Sequence, residues 1–338
     1  MQNPHNFVPR LLEYRYDLAA KLLGIHISSE QLREITGKNK QQKSTYHLRY
    51  SPHDIRKVGK DMGFASFQEI AQRNTPPLII CHTYKKGSGS TTVSANLAVA
   101  LAAQGYRVAF IDADSQASAT TLFGFQTEDP ERLTLLHMLG EWRPPDEIAI
   151  RLYNNAELDF FPADLHLTQL DHLLATKRNQ NLLLLEYIQE HKDAWRKYEF
   201  ILIDTNPTNS LLNFNAMVPA DLVLAVAALD NLSTTALSLL IEDIDDVEWV
   251  KRLRPGVMLI PNRYDPSYAN MTKNLNMLRL HYGSILSRTM LPEYAGFGRQ
   301  VKNGATSVPL VEAEPSSPGA RAIFDLSREI VERFCVGT

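Results

Sequence analysis

The sequence has little cysteine and no long apolar run, and each absence excludes a class of protein. Two cysteines among 338 residues are too few for a disulfide framework and argue against a zinc site. No apolar run reaches the length of a membrane-spanning helix. Charged residues interrupt the first apolar residues of the chain, so a signal peptide is not expected. We therefore expect a protein of the reducing cytoplasm.

An excess of one charge is also lacking, because 35 Lys and Arg stand against 38 Asp and Glu, a net charge of −3. A nearly neutral total identifies no partner, since a local basic patch can lie within it. The length suggests about two domains. The segment "QRNTPP" at 72–77 contains two prolines, which neither continue a helix nor enter a central strand. We predict a boundary there, with a DNA-binding domain at residues 1–75 and a larger domain at 76–338.

The N-terminal part reads as a small helical domain. Residues 1–35 have apolar side chains at helical spacing, which predicts a helix that either packs on its own domain or serves as a dimerisation arm. Residues 36–60 then carry seven Lys and Arg against one acid, Asp54. A short helix, a basic loop, an alternating segment and a second helix follow the order of a winged helix-turn-helix. Ser51 is the predicted N-cap of the second helix, with Pro52 at its first position.

Basic side chains of this segment predict contact with DNA phosphates, which would make binding strongly salt-dependent. The residues predicted to make that contact are Lys38, Lys40, Lys43 and Arg49. The alternative is a basic loop that only solvent contacts.

From residue 78 onward, apolar runs alternate with helical segments. Runs such as "RVAFIDAD" and "YEFILIDTN" are almost continuously hydrophobic, as strands buried on both faces of a parallel sheet are. The pattern predicts an α/β fold, a doubly wound and mostly parallel sheet. In such a sheet the functional site lies at the C-terminal ends of the strands.

A glycine-rich loop, "KKGSGSTT", follows the first of these strands and precedes a helix. Gly87 and Gly89 allow the backbone N–H groups to surround a phosphate, and the helix N-terminus favours an anion. Thr91 is placed to ligate Mg²⁺ and Thr92 to contact a phosphate oxygen. A tight strand–helix turn without a ligand is the alternative. The residues predicted to bind the nucleotide in this loop are Lys86, Gly87, Ser88, Gly89, Ser90, Thr91 and Thr92.

Three acids at strand ends favour the nucleotide site over a simple turn. Asp112 and Asp114 end one apolar run, and Asp204 ends another where a P-loop enzyme keeps the acid of its Mg²⁺ shell. Asp204 alone could be a helix cap, but capping does not explain all three acids beside a glycine loop.

These motifs together resemble the ParA/MinD deviant-Walker ATPases, and among them the partition ParA proteins. The family's K-G-G-x-G-K-T-T loop is similar to residues 85–92, and its D-x-D-P-Q motif to residues 112–116. The likeness extends over residues 78–334, including "LIPNRYDP" and the closing segment. The basic N-terminal part is similar to that of the larger partition ATPases, which also repress their own operon.

The resemblance implies an ATP-dependent homodimer that requires Mg²⁺. Lys85 would reach the phosphates of the partner subunit, while Asp112 and Asp114 would position water. Mg²⁺ would involve Thr91, Asp112 and Asp204; ATP or ADP would also contact Asp204, Pro261 and Asn262. Dimers of this family bind DNA without sequence preference through basic residues near the C-terminus. The candidates for that contact are Arg299, Lys302, Arg321 and Arg328. A centromere-binding ParB-like partner, a nucleoid location and no membrane partner are implied as well.

One residue departs from the family at a position that matters. Ser90 stands where the loop has a lysine, and a neutral hydroxyl replaces a charge at the β- and γ-phosphates. Loss of such a charge typically costs on the order of 10²–10³ in rate. The loop could belong to an active ATPase in which Lys85 or Lys86 supplies the charge, to a switch that hydrolyses poorly, or to a degenerate site. Two functions follow: a partition ATPase of slow turnover, or a DNA-binding repressor whose second domain senses nucleotide.

Overall fold

The computed structural model describes residues 8–24, 26–38, 48–63, 75–127, 129–302 and 308–335. Its centre is a sheet of seven strands in the order β3-β4-β2-β5-β1-β6-β7. All neighbours are parallel except β3 and β4. The strands are β1 (Leu78–Cys81), β2 (Val108–Ala113), β3 (Ile150–Arg151), β4 (Leu158–Phe161), β5 (Phe200–Thr205), β6 (Leu222–Ala228) and β7 (Gly256–Asn262).

Helices cover both faces of the sheet, so the strands are buried throughout and their sequences are apolar on both sides. The predicted α/β, mostly parallel architecture is confirmed. The helices are α1 (Tyr16–Leu22), α2 (Ser29–Thr36), α3 (Pro52–Asp61), α4 (Ser90–Ala103), α5 (Ser118–Leu122), α6 (Leu135–Gly140), α7 (Pro145–Ile148), α8 (Thr168–Ala175), α9 (Leu183–Glu190), α10 (Lys192–Trp195), α11 (Leu211–Met217), α12 (Thr234–Lys251), α13 (Ala269–Tyr282), α14 (Ala295–Lys302), α15 (Leu310–Ala313) and α16 (Pro318–Cys335).

The N-terminal residues share one hydrophobic core with the larger domain. Leu12, Tyr50 and Ile55 belong to the same buried cluster as the side chains of α4 and α16. The helix α3 begins as predicted, with Ser51 as its N-cap and Pro52 in its first turn. The predicted winged helix is not shown, because the described residues include α2 and α3 but not residues 39–47 between them. Lys40 and Lys43 therefore lie outside the described residues.

Two buried contacts hold α3 against the sheet. The Arg56 guanidinium donates to both carboxylate oxygens of Glu199 at 2.7 Å, and Glu199 directly precedes β5. Gly105, just after α4, has a φ of +91°, and an added Cβ there would lie 2.6 Å from the Arg56 side chain and 2.7 Å from Pro52 O. This close approach explains why glycine stands at the end of α4. The small N-terminal region is thus packed on the larger domain rather than attached by a linker alone.

Among the described helices, none is long and apolar enough to cross a membrane.

Candidate functional site

A cavity of about 440 Å³ opens at the C-terminal ends of β1, β2 and β5. The alternation of strands and helices places these ends together, as the sequence predicted. The glycine loop between β1 and α4 forms most of its wall, with residues from the β2 and β5 ends opposite. The lining residues include Lys85, Lys86, Gly87, Ser88, Gly89, Ser90, Thr91, Thr92, Asp114, Gln116, Ser118, Thr205 and Pro207.

The two glycines of the loop have left-handed backbone conformations. Gly87 has a φ of +74° and Gly89 a φ of +93°. An added Cβ at Gly89 would lie 2.6 Å from Asn262 Nδ2, whereas one at Gly87 would meet nothing within 4 Å. Gly89 is therefore required both by its conformation and by the close approach of β7. Gly89 is also the N-cap of α4, so the positive end of that helix faces the cavity.

Asn262, at the end of β7, holds the backbone of the glycine loop through a hydrogen bond. Its Nδ2 donates to Ser88 O at 2.7 Å, and its Oδ1 accepts from Arg263 N at 2.9 Å. The side chain is 6% exposed. Sequence analysis assigned Asn262 and Pro261 to nucleotide contact; the structure shows Asn262 bonded to the loop. Pro261 lies within β7, paired with Ala227.

Ser90, which the sequence resemblance places at the family's lysine position, turns its hydroxyl toward β1. Ser90 Oγ lies 3.2 Å from Cys81 Sγ, and the Cys81 thiol is buried. Burial raises the pKa of Cys81 well above its ordinary range, so the thiol stays neutral. The Ser90 hydroxyl is therefore partnered inside the protein.

Asp204 and Asp112 are neighbours in register on β5 and β2, and both are fully buried. Asp112 Oδ2 accepts from Thr120 N and Oγ1, each at 2.8 Å, and its Oδ1 accepts from Asp114 N at 3.1 Å. Asp204 Oδ1 accepts from Ser94 Oγ at 2.8 Å, but its Oδ2 has no partner among the described residues. Burial raises the pKa of Asp112 to about 7; burial and the nearby Asp112 raise that of Asp204.

Asp114 is the strand-end acid that lines the cavity. Its Oδ1 accepts from Gln116 N at 2.9 Å. Burial raises the pKa of the Asp114 carboxyl, and the Lys86 ammonium acts against that shift. Lys86 is thus close enough to Asp114 to influence its charge. Within the described part of the chain, the cations on the cavity wall are Lys85 and Lys86.

A second cavity of about 300 Å³ shares Gly89 and Thr92 with the first and is also lined by Asn262; sequence reasoning named Asn262 but missed the aromatic residues of this cavity. Tyr294 and Phe297 line it, with ring centroids 6.3 Å apart. Arg263 lines it as well. Arg263 directly follows β7, and Tyr294 and Phe297 lie some 30 positions further along the chain. The spacing of the sequence motifs therefore did not indicate these three residues.

It also missed two residues between β1 and the loop, His82 and Tyr84. His82 is buried in a row of apolar and small residues and has no motif of its own. The roles of the two residues depend on the contact of His82 with β5 and of Tyr84 with α12, which sequence alone does not place.

The residues predicted to contact DNA differ in their surroundings in the structure. Lys38 is engaged internally: its Nζ lies 2.8 Å from Asp54 Oδ2 and 5.1 Å from the Tyr50 ring centroid. Arg49 is half-buried beside Tyr50. Arg321 is exposed on α16 and lines a groove with Lys21 of α1. The side chains of Arg299 and Lys302 lie outside the described part, although both residues belong to α14.

Comparison with known proteins places this geometry in a family. A family model described as an AAA domain matches residues 77–255. Cell division protein PomZ of Myxococcus xanthus is 30% identical over 251 residues, 74% of this chain and 76% of PomZ. Chromosome partitioning protein ParA of Caulobacter vibrioides is 28% identical over 252 residues, 74% of this chain and 91% of ParA.

A solved structure shows the same fold with a ligand. It is the cobyrinic acid a,c-diamide synthase of Mycobacterium smegmatis with an ATP analogue and magnesium. Its TM-score is 0.65 at 19% identity, over 78% of this chain and 97% of the synthase. At that identity the likeness concerns the fold alone.

Proposed function

This chain belongs to the ParA/MinD-type ATPase superfamily, and we propose on that basis that it binds Mg²⁺–ATP, dimerises with it and hydrolyses it slowly to position or segregate DNA. The observation that carries the proposal is the meeting of the glycine loop, Asp114 and Thr205 around one cavity.

The residues present fit the triphosphate and its metal. The backbone of Gly87, Ser88 and Gly89 would receive the phosphates at the start of α4. Thr91 lines the cavity, and its side chain acts against the raised pKa of Asp204. The unpaired Asp204 Oδ2 is a buried acceptor of the kind that a water of a Mg²⁺ shell would satisfy. A bound Mg²⁺ would neutralise phosphate charge, and Asp112 would be the second acid behind it.

The second cavity fits the adenine base. It continues from the phosphate cavity past Gly89 and Thr92, and its aromatic side chains offer faces for stacking. Asn262 lines this cavity and supports the loop, and Pro261 precedes it in β7, while Tyr294 and Phe297 would contact the base.

Slow hydrolysis follows from the charges around the loop. Ser90 supplies no charge, and its hydroxyl is directed to Cys81. Lys86 lies near Asp114 and can supply one positive charge to the phosphates from within the subunit. Lys85 would supply another across the dimer. Asp114 would orient the attacking water.

Partners follow from the relatives. PomZ is a cell division protein and ParA a chromosome partitioning protein, which supports a cytoplasmic role on the nucleoid, with DNA and a ParB-like protein as partners. The basic N-terminal segment would bind an operator and repress the protein's own operon. Arg321 and its neighbours on α16 would contact DNA without sequence preference.

The Ser90–Cys81 contact favours one second candidate. A site without the loop lysine could bind nucleotide and change affinity for DNA without turnover, as a repressor would. This candidate would be supported if ATP changes the affinity of the wild type for DNA while the wild type hydrolyses ATP no faster than Asp204→Asn does.

The test measures Mg²⁺–ATP binding by calorimetry and phosphate release with DNA present, for the wild type and for Asp204→Asn and Lys85→Ala. We expect micromolar-range binding, slow release that DNA or a ParB-like partner stimulates, and loss of release in both variants. A wild type that neither binds nor hydrolyses ATP would contradict the proposal. A matched control is Asp221→Asn: Asp221 precedes β6, at the strand ends opposite the cavity, and the asparagine keeps an oxygen that can accept from Leu78 N.

A further inference from the structure

A chain of side chains joins α12 to the strand ends beside the glycine loop. The Tyr84 phenol donates to Asp243 Oδ2 on α12. The Tyr84 ring meets the His82 ring edge-on, with centroids 5.0 Å apart at 87°. His82 Nδ1 lies 2.8 Å from Thr205 Oγ1 at the end of β5. Four residues thus connect a surface helix to two central strands.

The hydrogen bonds fix the state of His82. The Thr205 hydroxyl donates to Cys81 O at 3.0 Å, so its single proton is used and His82 Nδ1 must donate to it. Burial lowers the pKa of His82 to about 4, which keeps the ring neutral. His82 therefore holds Thr205 with a defined tautomer and carries no charge toward the cavity.

In residues 82–85, side chains that contact the surrounding structure alternate with side chains that line the phosphate cavity. His82 and Tyr84 contact β5 and α12, whereas Thr83 and Lys85 line the cavity. Lys85 N also donates to Thr83 Oγ1 at 3.3 Å. Because Lys85 directly follows Tyr84 in the chain, fixing Tyr84 against α12 restricts where the Lys85 side chain leaves the backbone.

We propose that Tyr84 is a positioning residue: its hydrogen bond to Asp243 holds the segment so that Lys85 points across the dimer interface. This inference rests on the proposed function, in which Lys85 serves the partner subunit. It adds that Asp243 of α12 determines the direction of the Lys85 side chain. Tyr84 affects dimerisation only by positioning Lys85.

The experiment is a double-mutant cycle on nucleotide-dependent dimerisation, measured by sedimentation of the full chain with Mg²⁺ and ATPγS. Tyr84→Phe keeps the ring against His82 and removes the hydroxyl; it should weaken dimerisation about tenfold, as expected for a lost hydrogen bond to a carboxylate. Nucleotide binding to the monomer should change little. The double variant Tyr84→Phe with Lys85→Ala should dimerise as Lys85→Ala does, because the two act as a unit.

Three further variants separate the outcomes. Asp243→Ala should reproduce Tyr84→Phe, and Asp243→Asn, which keeps an acceptor oxygen, should restore most of the dimerisation. Asp245→Asn removes an exposed acid of the same helix that pairs with Arg254, and it should have no effect. Two outcomes would overturn this inference and leave the proposed function intact. In the first, the double variant loses as much dimerisation as the two single variants together. In the second, Lys85→Ala dimerises less than the wild type, but Tyr84→Phe dimerises as the wild type does. Wild-type dimerisation of Lys85→Ala would overturn the proposed role of the lysine and this inference with it.

Discussion

Ser90 Oγ lies 3.2 Å from Cys81 Sγ, so the side chain predicted to stand in place of the family lysine is hydrogen-bonded to a buried strand. A lysine at this position would have a longer side chain and a charge that the neutral Cys81 thiol could not satisfy. It would have to extend into the cavity instead. Serine in place of lysine would thus change the direction of the side chain as well as its charge.

Substitutions at Ser90 test this difference. Ser90→Ala should alter ATP affinity by less than about threefold, because the hydroxyl bonds to Cys81 rather than to phosphate. Ser90→Lys should raise phosphate release on the order of 10²-fold if the remaining loop is competent. Single-turnover assays with Mg²⁺–ATP measure both. A large loss of affinity in Ser90→Ala would show that the hydroxyl contacts phosphate after all.

The two loop glycines provide a matched pair. Gly87→Ala adds a Cβ into open space and carries only left-handed strain, about 1–2 kcal/mol. Gly89→Ala adds the same strain and displaces the Asn262 amide that supports Ser88 O. We expect Gly89→Ala to lower ATP affinity at least about tenfold more than Gly87→Ala. Isothermal calorimetry measures the difference, and equal losses would rule out the support given by Asn262.

The alternating pattern of the sequence predicted the sheet because buried parallel strands are apolar on both faces. It also predicted that the glycine loop and Asp114 lie close together, because the C-terminal ends of parallel strands lie at the same edge of the sheet. It did not predict that Asn262 bonds to Ser88 O or that Lys38 pairs with Asp54. These contacts depend on side-chain directions between segments far apart in sequence, which no local pattern carries. The domain boundary near residue 75 remains a prediction.

Basic residues of the N-terminal segment should separate into two groups. Lys38 Nζ is held by Asp54 and the Tyr50 ring, so Lys38→Ala should lower stability while leaving the salt dependence of DNA binding unchanged. The double variant Lys40→Ala with Lys43→Ala should reduce the slope of log affinity against log salt by about 1.8, because each lost phosphate contact contributes about 0.9. Fluorescence anisotropy on operator DNA measures the slope. A wild-type slope in the double variant would remove these lysines from the DNA contact.

The Arg56–Glu199 ion pair should be a main support of α3. Glu199 is buried; burial alone would raise its pKa, but the bonds from Arg56 and Arg107 outweigh this and lower it. Arg56→Ala leaves that carboxylate without its main partner and should cost about 3–5 kcal/mol of unfolding free energy. Lys57→Ala, its exposed neighbour, should cost less than about 0.5 kcal/mol. Urea unfolding compares the two, and similar midpoints would mean that the pair contributes little.

His82 makes stability depend on pH in a defined direction. Burial lowers its folded pKa to about 4, whereas the unfolded value is about 6.5. Between these values the unfolded chain binds a proton that the folded chain does not, so stability falls as pH falls from about 6.5 toward 4. The contribution of His82 to the slope is at most about 1.4 kcal/mol per pH unit. Above about pH 6.5 both states are neutral and the contribution is constant.

The matched variant is His82→Gln, which can still donate a hydrogen bond to Thr205 and does not titrate. Unfolding free energies of both proteins, measured in urea at half-unit steps from pH 4 to 8, should differ by a constant amount above pH 6.5. Below that value the difference should shift steadily in favour of the variant. Asp112, with a raised pKa of about 7, acts in the opposite direction in both proteins and cancels in the comparison. A pH-independent difference would show that His82 titrates in the folded protein as it does in the unfolded chain, and the neutral link to Thr205 would then fail below about pH 6.5.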